Sequence, residues 1–220
     1  MGRSGDRRPC SKIECVVAIL VSGALIGCAG PAMQQANMRA KQSKAMQSAR
    51  GIAAAVDVWA WDHGGHYPSG TDANEVFAQV VPELGRESLF FVSGSAWHGA
   101  RGTRFAFGPD EKWGEGGDGG QPLEPGENHW AFNAMAEPNS APTIPLIADG
   151  FSTQVGRYSA DPGQLGGVWR GRSAIVVFCD RSAQIVKLDQ QMRFTNPKQN
   201  GRDEFVRAGV DMLNPSRPPR

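Results

Sequence analysis

Apolar and small residues run almost unbroken from Cys15 to Met33 (CVVAILVSGALIGCAGPAM), and no charge occurs between Cys15 and Met38. A helix of that length is enough to span a bilayer, so the pattern predicts a transmembrane helix over 15–33. The preceding stretch 1–14 is basic, with Arg3, Arg7, Arg8 and Lys12 against Asp6 and Glu14. By the positive-inside rule this predicts a single pass through an inner membrane with the remaining chain on the periplasmic side, and hence contact with inner-membrane lipid.

After Met33 the hydrophobic period changes. Ala45, Ala49, Ile52, Val56 and Trp59 recur at steps of four, three, four and three, with Arg39, Lys41, Lys44 and Arg50 elsewhere. That spacing lays one apolar stripe along an otherwise polar helix and predicts an amphipathic stem over 34–62. Asp62-His63-Gly64-Gly65 supplies the stop, because glycine accepts the left-handed backbone of a helix end and Pro68 blocks continuation. Continuous from about Ser11 to Asp62, such a helix is on the order of 75 Å long at 1.5 Å per residue.

Beyond Pro68 the pattern predicts a short helix at Ala73–Val81 and strands at Ser88–Val92, Arg104–Phe107 and His129–Phe132. The clearest strand pair comes later: Ser173–Phe178 and Ala183–Leu188, joined by Cys179-Asp180-Arg181-Ser182, read as an antiparallel hairpin. The fold class expected is α+β, a long N-terminal helix packed on a small antiparallel sheet, with the globular part over 63–196. Residues 197–220 read as a solvated tail, disordered over Pro215–Arg220.

Composition narrows the function classes. The 220 residues suit one domain plus an anchor, and a formal charge of +1 gives no general pull towards nucleic acid. Cys10, Cys15 and Cys28 lie together at the start and Cys179 stands apart, so no disulfide framework is expected within the domain. No Gly-x-Ser-x-Gly elbow, His-Glu-x-x-His helix or phosphate loop occurs. Ser93-Gly-Ser95 with His98 is the nearest approach to a nucleophile and base, and no enzyme activity, catalytic residue or cofactor is expected. His63-Gly-Gly-His66 has the look of half a metal site but lacks further ligands, so both histidines read as turn residues. The six tryptophans read mainly as packing groups.

The N-terminal spacing carries a family likeness. Glu14 is followed nine residues later by Gly23 and seventeen later by Pro31, an arrangement that resembles the prepilin leader and stem of type IV pilins and type II secretion pseudopilins. Trp61-Asp-His-Gly-Gly-His-Tyr-Pro68 resembles that family's stem-to-domain junction. Gly126–Phe132, Pro145–Gly150 and the hairpin Ser173–Leu188 resemble a subgroup whose last hairpin turns on Asp-Gly; here Asp180-Arg181 stands in its place, which predicts a longer or looser loop. The resemblance implies a pilin-like fold, a structural role in a secretion or pilus assembly, and partners among other pilin-like subunits and their machinery. It also implies that the Glu14 carboxylate pairs with a neighbouring subunit's N-terminal amine, with Gly23 and Pro31 shaping the packed stem. The family's peptidase cuts after glycine, whereas the Glu14 register puts the junction between Pro9 and Cys10. Proline there argues against routine cleavage and N-methylation by a prepilin peptidase. Some major pseudopilins hold calcium in an acidic loop; the Gly108–Gly120 stretch has suitable oxygen ligands without EF-hand spacing, and reads first as a solvated loop.

The same residues admit a second reading. Leu25-Ile-Gly-Cys28 has the form of a lipobox behind a basic start, which would make the chain a lipoprotein lipidated at Cys28, lacking residues 1–27 and carrying a glycan- or solute-binding domain. The apolar stripe after Cys28 favours the pilin-like reading over a polar tether.

Overall fold

The stripe of small apolar residues from Ala45 onwards decides how the first element is used. Helix α1 spans Lys12–Asp62, and Ala45, Ala49, Ile52, Ala53, Val56 and Ala60 are buried along it. It ends where the sequence places the stop: the Gly65 amide donates to Ala60 O at 2.8 Å, and Gly64 and Gly65 take φ values of 73° and 82°, a left-handed exit that costs glycine nothing. This computed structural model describes residues 12–85, 87–98, 123–196, 202–205 and 209–217, with side chains from Met33 onwards except at 87, 196 and 202. The chain divides into two compact units, residues 1–41 and 42–220.

The expected single pass through an inner membrane over 15–33, with its periplasmic domain, is corrected. Among the described residues no helix is long and apolar enough to cross a membrane. Where its side chains are described, α1 carries Arg39, Lys41, Lys44, Arg50, Asp57 and Asp62, too closely spaced to leave an apolar stretch of the necessary length.

In the larger unit, Asp72 starts helix α2 (Ala73–Leu84) by accepting from the Asn74 and Glu75 amides, and Gly85 closes it at φ 61°. This cap satisfies donors that the first helical turn leaves open. Five strands follow in one antiparallel sheet: β1 (Trp130–Asn133), β2 (Pro145–Asp149), β3 (Ser173–Phe178), β4 (Ala183–Lys187) and β7 (Met212–Leu213), in spatial order β4-β3-β2-β1-β7. A separate two-stranded pair joins β5 (Thr195–Asn196) to β6 (Arg202–Asp203). The architecture is α+β, with a small antiparallel sheet.

Alternation along the strands assigns the two faces. Ala131, Ala148, Ala174, Val176 and Val186 pack under Phe151, Tyr158, Phe205 and Met212. On the opposite face Phe132 meets Phe77 of α2 edge-on at 5.7 Å, and Phe132 pairs with Ile147 across the ladder. The larger unit's part of α1 lies on this second face. Gln42 Nε2 donates to Ser173 Oγ at 2.9 Å at the start of β3, and Arg181, just after β3, donates to Asp57. Helix and strand therefore run in the same direction.

Two further expectations change, and two fall outside the described residues. Ser88–Val92 contains a 3-10 turn at Glu87–Phe90 instead of a strand; its apolar residues serve a turn that buries Phe90. The expected Arg104–Phe107 strand and the Gly108–Gly120 loop lie outside the described residues. The described parts of the expected tail over 197–220 are packed: β7 pairs with β1, and Phe205 and Met212 are buried. Asn214 Oδ1 accepts from the Phe151 amide at 3.0 Å, and Ser216 Oγ donates to Asp72 Oδ2 at 2.6 Å. Polar side chains there make hydrogen bonds to the backbone and to Asp72.

Candidate functional site

The interior between β1, β2 and the turn after Val92 carries the densest polar chemistry of the described residues. Gly94, at φ 86°, turns the chain so that the Ser95 amide donates to Val92 O at 3.0 Å. The Trp97 amide then donates to Ser95 Oγ at 3.2 Å. His129, at the threshold of β1, holds its Nδ1 at 2.7 Å from that hydroxyl. Its Nε2 lies 2.7 Å from Asp149 Oδ1 at the end of β2. Antiparallel pairing makes this possible, since Trp130 is opposite Asp149 and the Gly150 amide donates to His129 O at 2.9 Å.

Directionality follows from the donor inventory. A carboxylate only accepts, so the His129 Nε2 proton points at Asp149, and neutral imidazole leaves Nδ1 as an acceptor. Ser95 Oγ already receives the Trp97 amide and gives its own proton to His129. Asp149 Oδ2 accepts from Trp169 Nε1 at 2.8 Å and from the Ile175 amide. His129 and Asp149 are fully buried and Ser95 is 9% exposed. A buried carboxylate is tolerated only with such donors around it. Gly150 matters as well: a β-carbon there would collide with the Trp97 indole and the His129 carbonyl.

His98, the histidine nearest Ser95 along the chain, is engaged elsewhere. Its Nε2 accepts the Val92 amide at 3.0 Å, and its Nδ1 lies 3.3 Å from Gly126 O. Burial, with His129 as a second cause, pushes its pKa down to about 3. His129 and Asp149 were not legible as a pair because they lie twenty residues apart on either side of a polar connection; the signal each left was a polar residue at the edge of a fully buried strand.

A second polar group ties α1 to the hairpin. Asp57 accepts from Arg181 and from Tyr67 Oη at 2.9 Å. Burial, then the neighbouring carboxylate, holds the Tyr67 phenol well above its ordinary value. The loop is longer than a two-residue turn, one of the two outcomes expected, and it is closed by hydrogen bonds: Arg181 N donates to Phe178 O at 2.8 Å, and Phe178 N to Ser182 O at 2.9 Å. Arg181 takes φ 64°, the position glycine usually fills in a three-residue hairpin loop. The ion pair holds the side chain in a conformation its backbone disfavours. Arg181→Ala keeps the unfavourable φ and loses the pair, whereas Arg181→Gly loses only the pair. Urea unfolding is expected to find the alanine variant less stable than the glycine variant by about 1 kcal/mol.

The other sequence candidates are dispersed. Glu14, Gly23, Cys28 and Pro31 all fall within α1, whose helical backbone continues through them; their side chains lie outside the described part. Pro9 and Cys10 lie outside the described residues. His63 stacks on Trp59 with ring centroids 3.8 Å apart, while His66 faces Glu137 at 3.5 Å, so the His63–His66 pair is divided between partners. Among the described residues, no group of three or more His, Cys, Asp or Glu is placed to hold a metal. Trp97, Trp130 and Trp169 spend their indole N–H groups inside, on Phe151 O, Leu89 O and Asp149. Trp113 lies outside the described residues, and Trp61 is exposed.

No family model matches the chain, and neither a curated protein nor a solved structure matches it.

Proposed function

We propose that the chain is a pilin-like structural subunit of a type II secretion or type IV pilus-like assembly, acting through helix packing and surface contacts. The observation that carries this reading is the use of α1. One 51-residue helix supplies, in its second half, a cover for one face of an antiparallel sheet, fastened at Gln42 and Asp57. A helix far longer than its own domain needs for packing leaves a segment suited to packing between subunits, as in the stems this sequence resembles. The fold is pilin-like in this reading, and Glu14, Gly23 and Pro31 are the assembly residues.

The experiment is incorporation into a sheared filament fraction. Glu14→Ala is expected to lower incorporation about tenfold, the effect of losing one charge-assisted contact of about 1.4 kcal/mol. Unchanged incorporation removes Glu14 from the mechanism.

A further inference from the structure

The geometry points to Ser95 as an activated nucleophile for small uncharged acyl esters, with His129 as its general base and Asp149 as the positioning carboxylate. Three features carry it. First, the hydrogen bonds run in one sense, from the Trp97 amide to Ser95 Oγ, from its hydroxyl to His129 Nδ1 at 2.7 Å, and from His129 Nε2 to Asp149 Oδ1 at 2.7 Å. That is the nucleophile, base and orienting-group order that activates a serine. The two imidazole nitrogens are exchanged relative to the usual hydrolase wiring, which neutral histidine permits because either can carry the proton.

Second, the carboxylate is fixed from behind. Trp169 Nε1 and the Ile175 amide occupy its other oxygen, so Asp149 cannot rotate away from the imidazole without orphaning both donors. Structural support alone does not require the Ser95 hydroxyl at the far end of this chain, since Asp149 already has three donors without it. Third, Ala96, the residue after Ser95 in the chain, lines a cavity of about 340 Å³ together with Ser152, Thr153, Gly163, Gln164 and Leu165. Those residues carry no charge, which selects a neutral ester.

In the reaction, Ser95 Oγ bonds to the ester carbonyl carbon while its proton passes to His129 Nδ1. The carbon–alkoxy bond then breaks and the alcohol leaves with that proton. Water attacks the acyl-serine with His129 again taking a proton, releasing the carboxylic acid and restoring the Ser95 hydroxyl. No oxidant or further reactant is needed. The inference is independent of filament assembly, which uses α1.

The test is incubation of the full chain with an alkyl fluorophosphonate, in which Ser95 Oγ displaces fluoride from phosphorus and the adduct is located by peptide mass spectrometry. Expected is one adduct, on Ser95, with labelling at least about 100-fold slower in Ser95→Ala and in His129→Gln of native near-ultraviolet circular dichroism. The wild-type rate is expected to rise with pH to a plateau, the signature of general-base assistance. That profile serves if His129→Gln does not fold, and a structural network would not produce it. An unlabelled folded wild type, an adduct elsewhere, or a pH-independent rate overturns the inference.

Discussion

Asp149→Ala is expected to lower the unfolding free energy by about 3–5 kcal/mol, measured by urea denaturation at neutral pH. The carboxylate is fully buried and receives His129, Trp169 and Ile175. Truncation leaves three donors in the interior with no acceptor, each worth about 1–3 kcal/mol. Part of that loss is recoverable by water entering the vacated space, which holds the total below the simple sum. Asp149→Asn is the informative companion: its carbonyl oxygen still accepts, but its NH2 faces groups that are themselves donors. It should fall between wild type and alanine.

Acid should destabilise the fold through His98, and the sign is fixed by its surroundings. The folded ring is held neutral down to about pH 3, by burial first and by His129 second, whereas an unfolded histidine takes up its proton near 6.5. Between those values the unfolded chain binds a proton that the folded chain refuses, so stability falls as pH drops from 6.5 towards 3 and is unaffected by this group above 6.5. The expected loss between pH 7 and pH 5 is about 2 kcal/mol. Urea midpoints of wild type and His98→Gln at the two pH values isolate it: the wild type should lose that much more than the variant. Equal losses would mean that His98 protonates in the folded state without cost. The structural reason for a cost is specific, since a proton on Nε2 would displace the Val92 amide that this nitrogen accepts.

What the sequence revealed depended on whether the deciding interactions were local. The α1 stop at Asp62 was legible because glycines four and five residues beyond the last buried alanine write the exit into consecutive letters. The β3–β4 hairpin was legible for the same reason, two β-branched runs separated by a short polar turn. The positive φ of Arg181 in that turn was not. Arginine disfavours positive φ, and its ion pair is with a carboxylate from a residue 124 positions earlier. The strand β7 was hidden because a two-residue strand has no period, and its place beside β1 is organised by Asn133, whose Oδ1 accepts from the Asp211 amide at 2.9 Å. The candidate site failed to show for a related reason. His129 and Asp149 become neighbours through the β1–β2 register, and Ser95 reaches them through a turn tied to His129 by the His129 amide donating to Phe90 O. The nearest histidine along the chain, His98, bonds instead to the Val92 amide.

The pairing of β7 with β1 has a consequence for how the domain is made. Phe132 waits for Leu213, and Asn74 and Asp72 at the start of α2 wait for Ser216, more than 140 residues later. During synthesis the β1 edge stands open while the chain through β6 emerges, with unpaired amides and carbonyls available to any other strand. Closure of such distant contacts is slow because the intervening loop must lose its freedom first. The segment around residues 212–216 thus acts as a late latch, and the interval before it arrives is when this domain is most exposed to misassociation.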